Sequence, residues 1–333
     1  MTHRHARLAL VPLAVLLLAA TATAASIADQ ATTSTSPYRD SRVKLRSDVR
    51  ATSLVQGAEL TYNPYVALNT EMRLSWWFTE HLYAVGTIDI TRELTEADAN
   101  TARGEWEAGD GVINAGHDLL WTDPWLGLEF AAEAELVLPT SKVAWAQTLV
   151  AETAANLSVS RSFDVWEGII VGYTLRPGKA WHRYTTAENA GSSVGDCANS
   201  AGGCGRFVNS GERNASWSLT NDLVVQVAPT EWLKLIGRVG TVTGFLYPRA
   251  EVPGISYRVA DPVDARFLNY YQLGARFNPI KALGITVGTS TTNPQLAPDG
   301  GYYMPFFNRY TRLFVDLRLD LAESVKLARQ IEL

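Results

Sequence analysis

Polar and apolar residues alternate with a period of two over long stretches of this chain. Between Trp125 and Leu138 the even positions are Leu126, Leu128, Phe130, Ala132, Ala134, Leu136 and Leu138, while Glu129, Glu133 and Glu135 fall on odd ones. Successive strand side chains point to opposite faces, so this stretch predicts a strand with one apolar face and one carboxylate-bearing face. Ala, Glu and Leu also favour a helix, but on a helix the three glutamates would spread around most of the circumference and break any apolar stripe. Near the other end, Leu313, Val315, Leu317 and Leu319 alternate with Arg312, Asp316, Arg318 and Asp320.

Eleven such runs are read at 66–78, 82–94, 111–121, 125–138, 148–162, 168–178, 214–227, 232–246, 265–277, 283–292 and 310–321. They exceed the ~5–6 residues usual for strands of soluble sandwiches and match the ~10 residues of a tilted strand crossing a bilayer. Short breaks at Thr79-Glu80, Thr122 to Pro124, Asp164 to Glu167, Ala228 to Glu231 and Asn278 to Lys281 alternate with longer polar stretches at 95–109, 139–147, 180–213, 247–264 and 292–309. Short turns on one side and long loops on the other are the asymmetry of an outer-membrane barrel. The run at 66–78 then begins on the long-loop side, so a further strand is expected within residues 48–62, giving twelve.

Tryptophan placement points the same way. Trp76, Trp77, Trp121, Trp125, Trp166 and Trp232 all flank the short breaks, where an aromatic girdle meets the headgroup region.

The N-terminus adds an export address. Arg4 and Arg7 precede an apolar run, Leu8 to Ala20, and a small-residue site, Ala22-Thr23-Ala24; this order reads as a secretory signal spanning residues 1–24. Residues 25–47 read as a periplasmic leader or linker, rich in Ser, Thr and Ala, with one dense charge cluster from Arg39 to Arg50. The barrel is assigned to 48–321, and 322–333 to a tail forming either a short helix or an extra strand.

On these patterns the chain resembles the Gram-negative outer-membrane β-barrels of about twelve strands: all-β, antiparallel, with short periplasmic turns and long extracellular loops. That group includes small-solute channels and a few outer-membrane lipid hydrolases. The resemblance implies outer-membrane lipid and the barrel-assembly machinery as partners, although many members end on an aromatic at the last strand, and this chain runs on to Leu333.

Composition removes other classes. Lys and Arg total 29 against 34 Asp and Glu, a net charge of −5, so no basic excess is available to grip nucleic acid. Ten Trp, 13 Tyr and 10 Phe exclude a disordered chain. Cys197 and Cys204, eight positions of one loop in Cys-Ala-Asn-Ser-Ala-Gly-Gly-Cys, lie without a neighbouring His or further Cys; in an exported loop this favours a local disulfide over a metal pair. No cofactor is expected.

If the apolar parity faces lipid, the other parity lines a lumen. That face carries Asp89, Asp118, Glu129, Glu133, Glu135 and Glu152 on early strands, and Arg176, Lys234, Arg238, Arg276, Arg312 and Arg318 on later ones. Acids and bases are therefore expected on opposed arcs, a hydrated pore for small polar or charged solutes. The alternatives are a salt-bridged structural or loop-binding barrel, a hydrophobic-compound transporter and an outer-membrane hydrolase. The last is disfavoured: His182, with Ser210, Asn214 and Ser216 in reach of the same rim, forms no spacing that a triad demands.

Overall fold

A computed structural model describes residues 36–54, 65–95, 103–189, 208–249, 263–297 and 299–331. Twelve long strands form the wall: β1 (Arg42–Arg50), β2 (Val66–Trp77), β3 (Leu82–Glu93), β4 (Gly111–Thr122), β5 (Glu129–Leu138), β6 (Leu149–Phe163), β7 (Ile169–His182), β8 (Ala215–Thr230), β9 (Leu233–Leu246), β10 (Ala265–Ile280), β11 (Leu283–Pro294) and β12 (Arg312–Asp320). Each is antiparallel to its sequence neighbours, and β1 pairs with β12 from Arg42↔Asp320 to Arg50↔Arg312. The sheet is thereby closed, which satisfies the ladder groups that an open edge would expose to lipid.

Burial is inverted relative to a water-soluble domain. Leu74, Ile88, Ile113, Leu223, Val239, Leu273, Val287 and Leu317 are exposed on the outer face, whereas Glu135, Arg176, Asp222 and Thr220 are buried on the inner one. An apolar exterior around a polar interior is the order a bilayer imposes on a barrel. The inner face contains one small apolar cluster, Val242, Leu268 and Tyr270. The phenol end of Tyr270 lies against Gly240 of the adjacent strand, where a Cβ would collide with its Cζ and hydroxyl.

Two boundaries depart most from the sequence reading, and the structure decides between the two forms expected of the tail. The first strand is Arg42–Arg50, not a segment within 48–62, so the leader region assigned to 25–47 already contains most of β1. Strand β5 begins at Glu129 rather than Trp125. Before it, the Asp123 carboxylate accepts the Trp125 and Leu126 amides at 3.3 and 2.9 Å, and Gly127 takes φ +62°, so a closed turn replaces the first four expected strand residues. The tail at 321–331 is a helix, α2 (Leu321–Ile331). Asp320 ends β12 and caps that helix, its side chain accepting the Glu323 amide at 3.0 Å.

The long loops carry structure of their own. Trp106–Ala108 extends the pairing of β3, and a single helical turn, α1 (Lys142–Ala146), starts at the Ser141 cap. Thr186–Asn189 pairs with Val208–Arg213 in a separate hairpin. The expected signal at 1–24 and the Cys197–Cys204 pairing lie outside the described residues.

Candidate pore lumen

Buried Arg176 marks the inner face, and cross-strand register carries that face from strand to strand. Starting at Arg176, the partners run Thr220, Val242 and Leu268 in one direction, and the same parity holds around the closed wall. All twelve charged residues expected in the lumen lie on it. Asp118 and Glu129 stand near the short-turn mouth; Glu133, Glu135, Arg176 and Arg238 lie mid-wall; Lys234 and Arg276 oppose each other near the short turns. Glu152 and Arg312 are towards the long loops, Arg318 towards the short turns, and Asp89 faces Glu71 across the β2–β3 ladder.

Strand β1 adds charges the sequence reading placed in a leader. Arg42, Lys44, Arg46, Asp48 and Arg50 all face inward. Val43, Leu45 and Val49 alternate with those charges, but the run is only nine residues and follows a Ser/Thr-rich stretch, so in sequence it reads as a charge cluster.

With β1 in place, the two halves of the wall differ in sign. Strands β2–β7 contribute inward Glu71, Asp89, Glu93, Asp118, Glu129, Glu133, Glu135 and Glu152, against Arg73 and Arg176. Strands β8–β12 with β1 contribute Lys234, Arg238, Arg266, Arg276, Arg312, Arg318, Arg42, Lys44, Arg46 and Arg50, against Asp222, Asp316, Asp320 and Asp48. Arg176 is a correction. Strand order in the sequence groups it with the basic arc, yet it sits inside the acidic half, donating to Glu135 at 2.5 Å and to Glu152 at 2.8 Å.

Two hydrogen-bonded clusters anchor the halves. In the acidic one, Glu133 accepts from the Tyr83 hydroxyl at 2.7 Å, Asn114 at 2.8 Å and Asn156 at 3.0 Å, and Asn156 also reaches Glu135. Five consecutive strands, β3–β7, are stitched through these carboxylates. From the basic half, Lys44 and Arg42 reach across the β1–β2 seam to Glu71 of the acidic half, while Arg46 reaches Asp48 at 2.9 Å and Asp316 at 3.8 Å, its guanidinium 3.9 Å above the Phe314 ring. Arg238 Nε sits 2.9 Å from both Asp222 oxygens. Each of these pairs joins residues on one strand or on strands one or two apart. They run along the wall instead of bridging the axis.

The mouths are aromatic. At the long-loop end Arg312 and Arg50 lie 4.4 and 5.3 Å from the Tyr65 ring. Burial pushes the Tyr65 phenol up, opposed by the Arg312 charge. At the short-turn end Trp76, Trp121, Trp166 and Trp232 are exposed, with Trp121 stacked on Phe130 and Trp232 on Phe277. Trp125 projects from its turn, 90% exposed. Trp77 departs from the girdle assignment. It shares the inward parity of Ser75, its Nε1 donates to the Arg39 carbonyl at 3.2 Å, and the Arg39 guanidinium lies 3.7 Å from its ring. A residue next to an outward Trp76 on a strand must face inward.

The described histidines fall at the two mouths. His81 pairs with Asp118 at 2.9 Å and stacks on His117 at the short-turn mouth. His182 stands edge-on to Tyr247 at the other end, while Ser216 accepts from Lys179 and Asn214 donates to the Gln147 and Tyr184 carbonyls. The structure does not bring His182, Ser216 and Asn214 into one hydrogen-bonded array; the Ser210 side chain lies outside the described ones.

No family model and no curated protein matches the sequence. Solved structures similar to this chain include an outer membrane channel from Pseudomonas putida F1, at 12% identity over 86% of this chain and 97% of that one, with a TM-score of 0.49. The NanC porin follows at 9% identity, 84% and 98% coverage and 0.41, and the translocator domain of the autotransporter NalP from Neisseria meningitidis at 9%, 89% and 92%, and 0.39. The protein is a closed twelve-stranded antiparallel barrel, apolar outside and polar inside.

Proposed function

We propose that this protein is an outer-membrane channel for small polar or charged solutes, with a field across its lumen set by the opposed acidic and basic halves. The observation that carries this reading is the direction of the ion pairs. Buried charges need partners, and here Glu135, Arg176, Asp222 and Arg238 find them on their own or nearby strands rather than through a bridge across the axis. A solute with separated charges or a strong dipole aligns between the halves; a purely apolar one gains nothing from them.

The short turns then lie in the periplasm and the long loops outside, the segment 1–24 is the cleaved export signal, and residues 36–41 lead into β1 from the periplasmic side. The barrel-assembly machinery and outer-membrane lipid are its partners. We assign it no catalytic step and no cofactor.

A second reading, a salt-bridged structural barrel, is favoured by one specific observation: Arg176, Glu135 and Asp222 are each only 3–4% exposed, so the wall at their level is tightly packed. Planar-bilayer recording of the purified protein separates the two. Discrete conductance steps, with a reversal potential that moves under a salt gradient, support the channel. A protein that inserts and stays silent at all voltages supports the structural barrel.

A further inference from the structure

One segment of the long-loop end does not behave like a loop. Residues 302–310 fold back over the outer face of β10–β12 instead of projecting away from the barrel. Thr291 and Thr311 share the parity of Val287 and Leu313, which is the lipid-facing one, yet they are 1% and 0% exposed. What covers them is this segment. The Thr291 and Thr311 hydroxyls bond each other at 2.8 Å, Thr291 reaches the Phe306 carbonyl at 3.4 Å, and the Asn308 amide donates to Thr311 at 2.8 Å. The Asn308 side chain donates to the Met304 carbonyl at 2.8 Å and to Asn293 at 3.2 Å, and accepts from the Tyr310 amide at 2.8 Å.

These bonds satisfy polar groups that would otherwise face hydrocarbon, and they hold the segment in one place. Its outer surface is then Met304-Pro305-Phe306-Phe307, four consecutive exposed apolar residues, which is an anomaly for a loop in water. Depth follows from β10. Phe306 packs edge-on against Tyr271 at 5.3 Å, and Tyr271 lies four residues inside the exposed Phe267 of the same strand, about 13 Å along the tilted strand. Phe306 therefore stands within the apolar band and not above it.

We infer that residues 302–310 form a flap embedded in the outer leaflet, with Met304, Phe306 and Phe307 among the acyl chains. The occupant of this surface is lipid, because the flap is continuous with the lipid-facing wall and replaces the part of that wall that Thr291 and Thr311 leave polar. Behind the apolar tip, Arg309 lies 5.8 and 5.3 Å from the Tyr303 and Tyr310 rings, an arrangement suited to the anionic headgroup region. The inference rests on the membrane reading of the barrel, and the experiment distinguishes the two.

The unmodified protein supplies its own probes. Met72 is exposed on the β2 wall and Met304 on the flap. In proteoliposomes treated with a charged, membrane-impermeant oxidant such as chloramine-T, both should form sulfoxide far more slowly than in the unfolded chain. Oxidation of Met304 with Met72 spared overturns the flap and leaves the barrel; oxidation of both overturns the membrane reading itself. A nitroxide on Phe307→Cys, in a Cys197→Ser/Cys204→Ser background, then identifies the cover. Oxygen accessibility matching that of a label at Val315→Cys supports lipid. A label shielded from oxygen and from an aqueous nickel chelate alike means protein against protein, and overturns the inference.

Discussion

Arg176 and Glu135 stand two strands apart on the lumen wall, yet the guanidinium reaches the carboxylate at 2.5 Å with only 4% and 1% of the two side chains exposed. With Glu152 on the strand between, they form a triad in which one cation serves two buried anions. Arg176→Met should strand both carboxylates and destabilise the folded barrel by about 3–5 kcal/mol. Adding Glu135→Gln and Glu152→Gln to the same chain should recover most of the loss. Urea unfolding in lipid vesicles, followed by tryptophan emission, measures both; a triple variant as unstable as the single one would show that the triad is not the cause.

If the proposed channel conducts, the sign of the two halves should set its selectivity. Lys44→Gln with Arg46→Gln removes two charges from the basic half at the β1 seam and should move the reversal potential towards cations. Glu129→Gln, near the short-turn mouth, should move it towards anions. Both shifts should be larger at low salt, where the screening length is about 30 Å at 0.01 M against about 10 Å at 0.1 M. Salt-independent shifts, or shifts of the same sign, would contradict the divided lumen.

Asp222 and Leu223 are adjacent, one buried inside and the other exposed outside. Leu223→Arg should impair folding into vesicles by about 2–4 kcal/mol if it lies near the midplane, whereas Thr241→Ser, also on the outer face, should be silent. Heat-modifiable gel migration gives the folded fraction, and equal folding of the two variants would reverse the assignment of faces.

Gly240 and Gly86 differ in the room beside them. A Cβ at Gly240 meets the Tyr270 ring and, at 2.5 Å, the Asn221 carbonyl, while one at Gly86 meets nothing within 4 Å. Gly240→Ala should destabilise by about 1–3 kcal/mol through overpacking, and Gly86→Ala should stay within about 0.5 kcal/mol. Thermal unfolding of the two proteins side by side checks the difference.

Period-two alternation determined the architecture, because a barrel wall needs an apolar and a polar parity on every strand and the sequence writes both. Strands β2–β12 fall within a few residues of the alternating runs, and the inward charges of β3–β12 follow from parity alone. Short strands with flanking polar sequence carry less of that signal, and so β1, with its four bases, was legible only once closure against β12 required a partner there. Trp77 could be placed near the short turns from sequence, but its side of the wall is fixed by counting from Ser75.

What the sequence could not decide is contact between residues far apart along the chain. Parity puts Arg176 in the lumen, but only register places Glu135 and Glu152 beside it, 41 and 24 residues away. The same holds for the flap. Met304-Pro305-Phe306-Phe307 reads as an apolar patch in a loop, and nothing local distinguishes a tip in water from one laid against the wall. The bonds from Asn308 and Thr311 to Asn293 and Thr291 make that choice. Alternation is a property of neighbours along one strand, whereas register and loop docking depend on which strands meet.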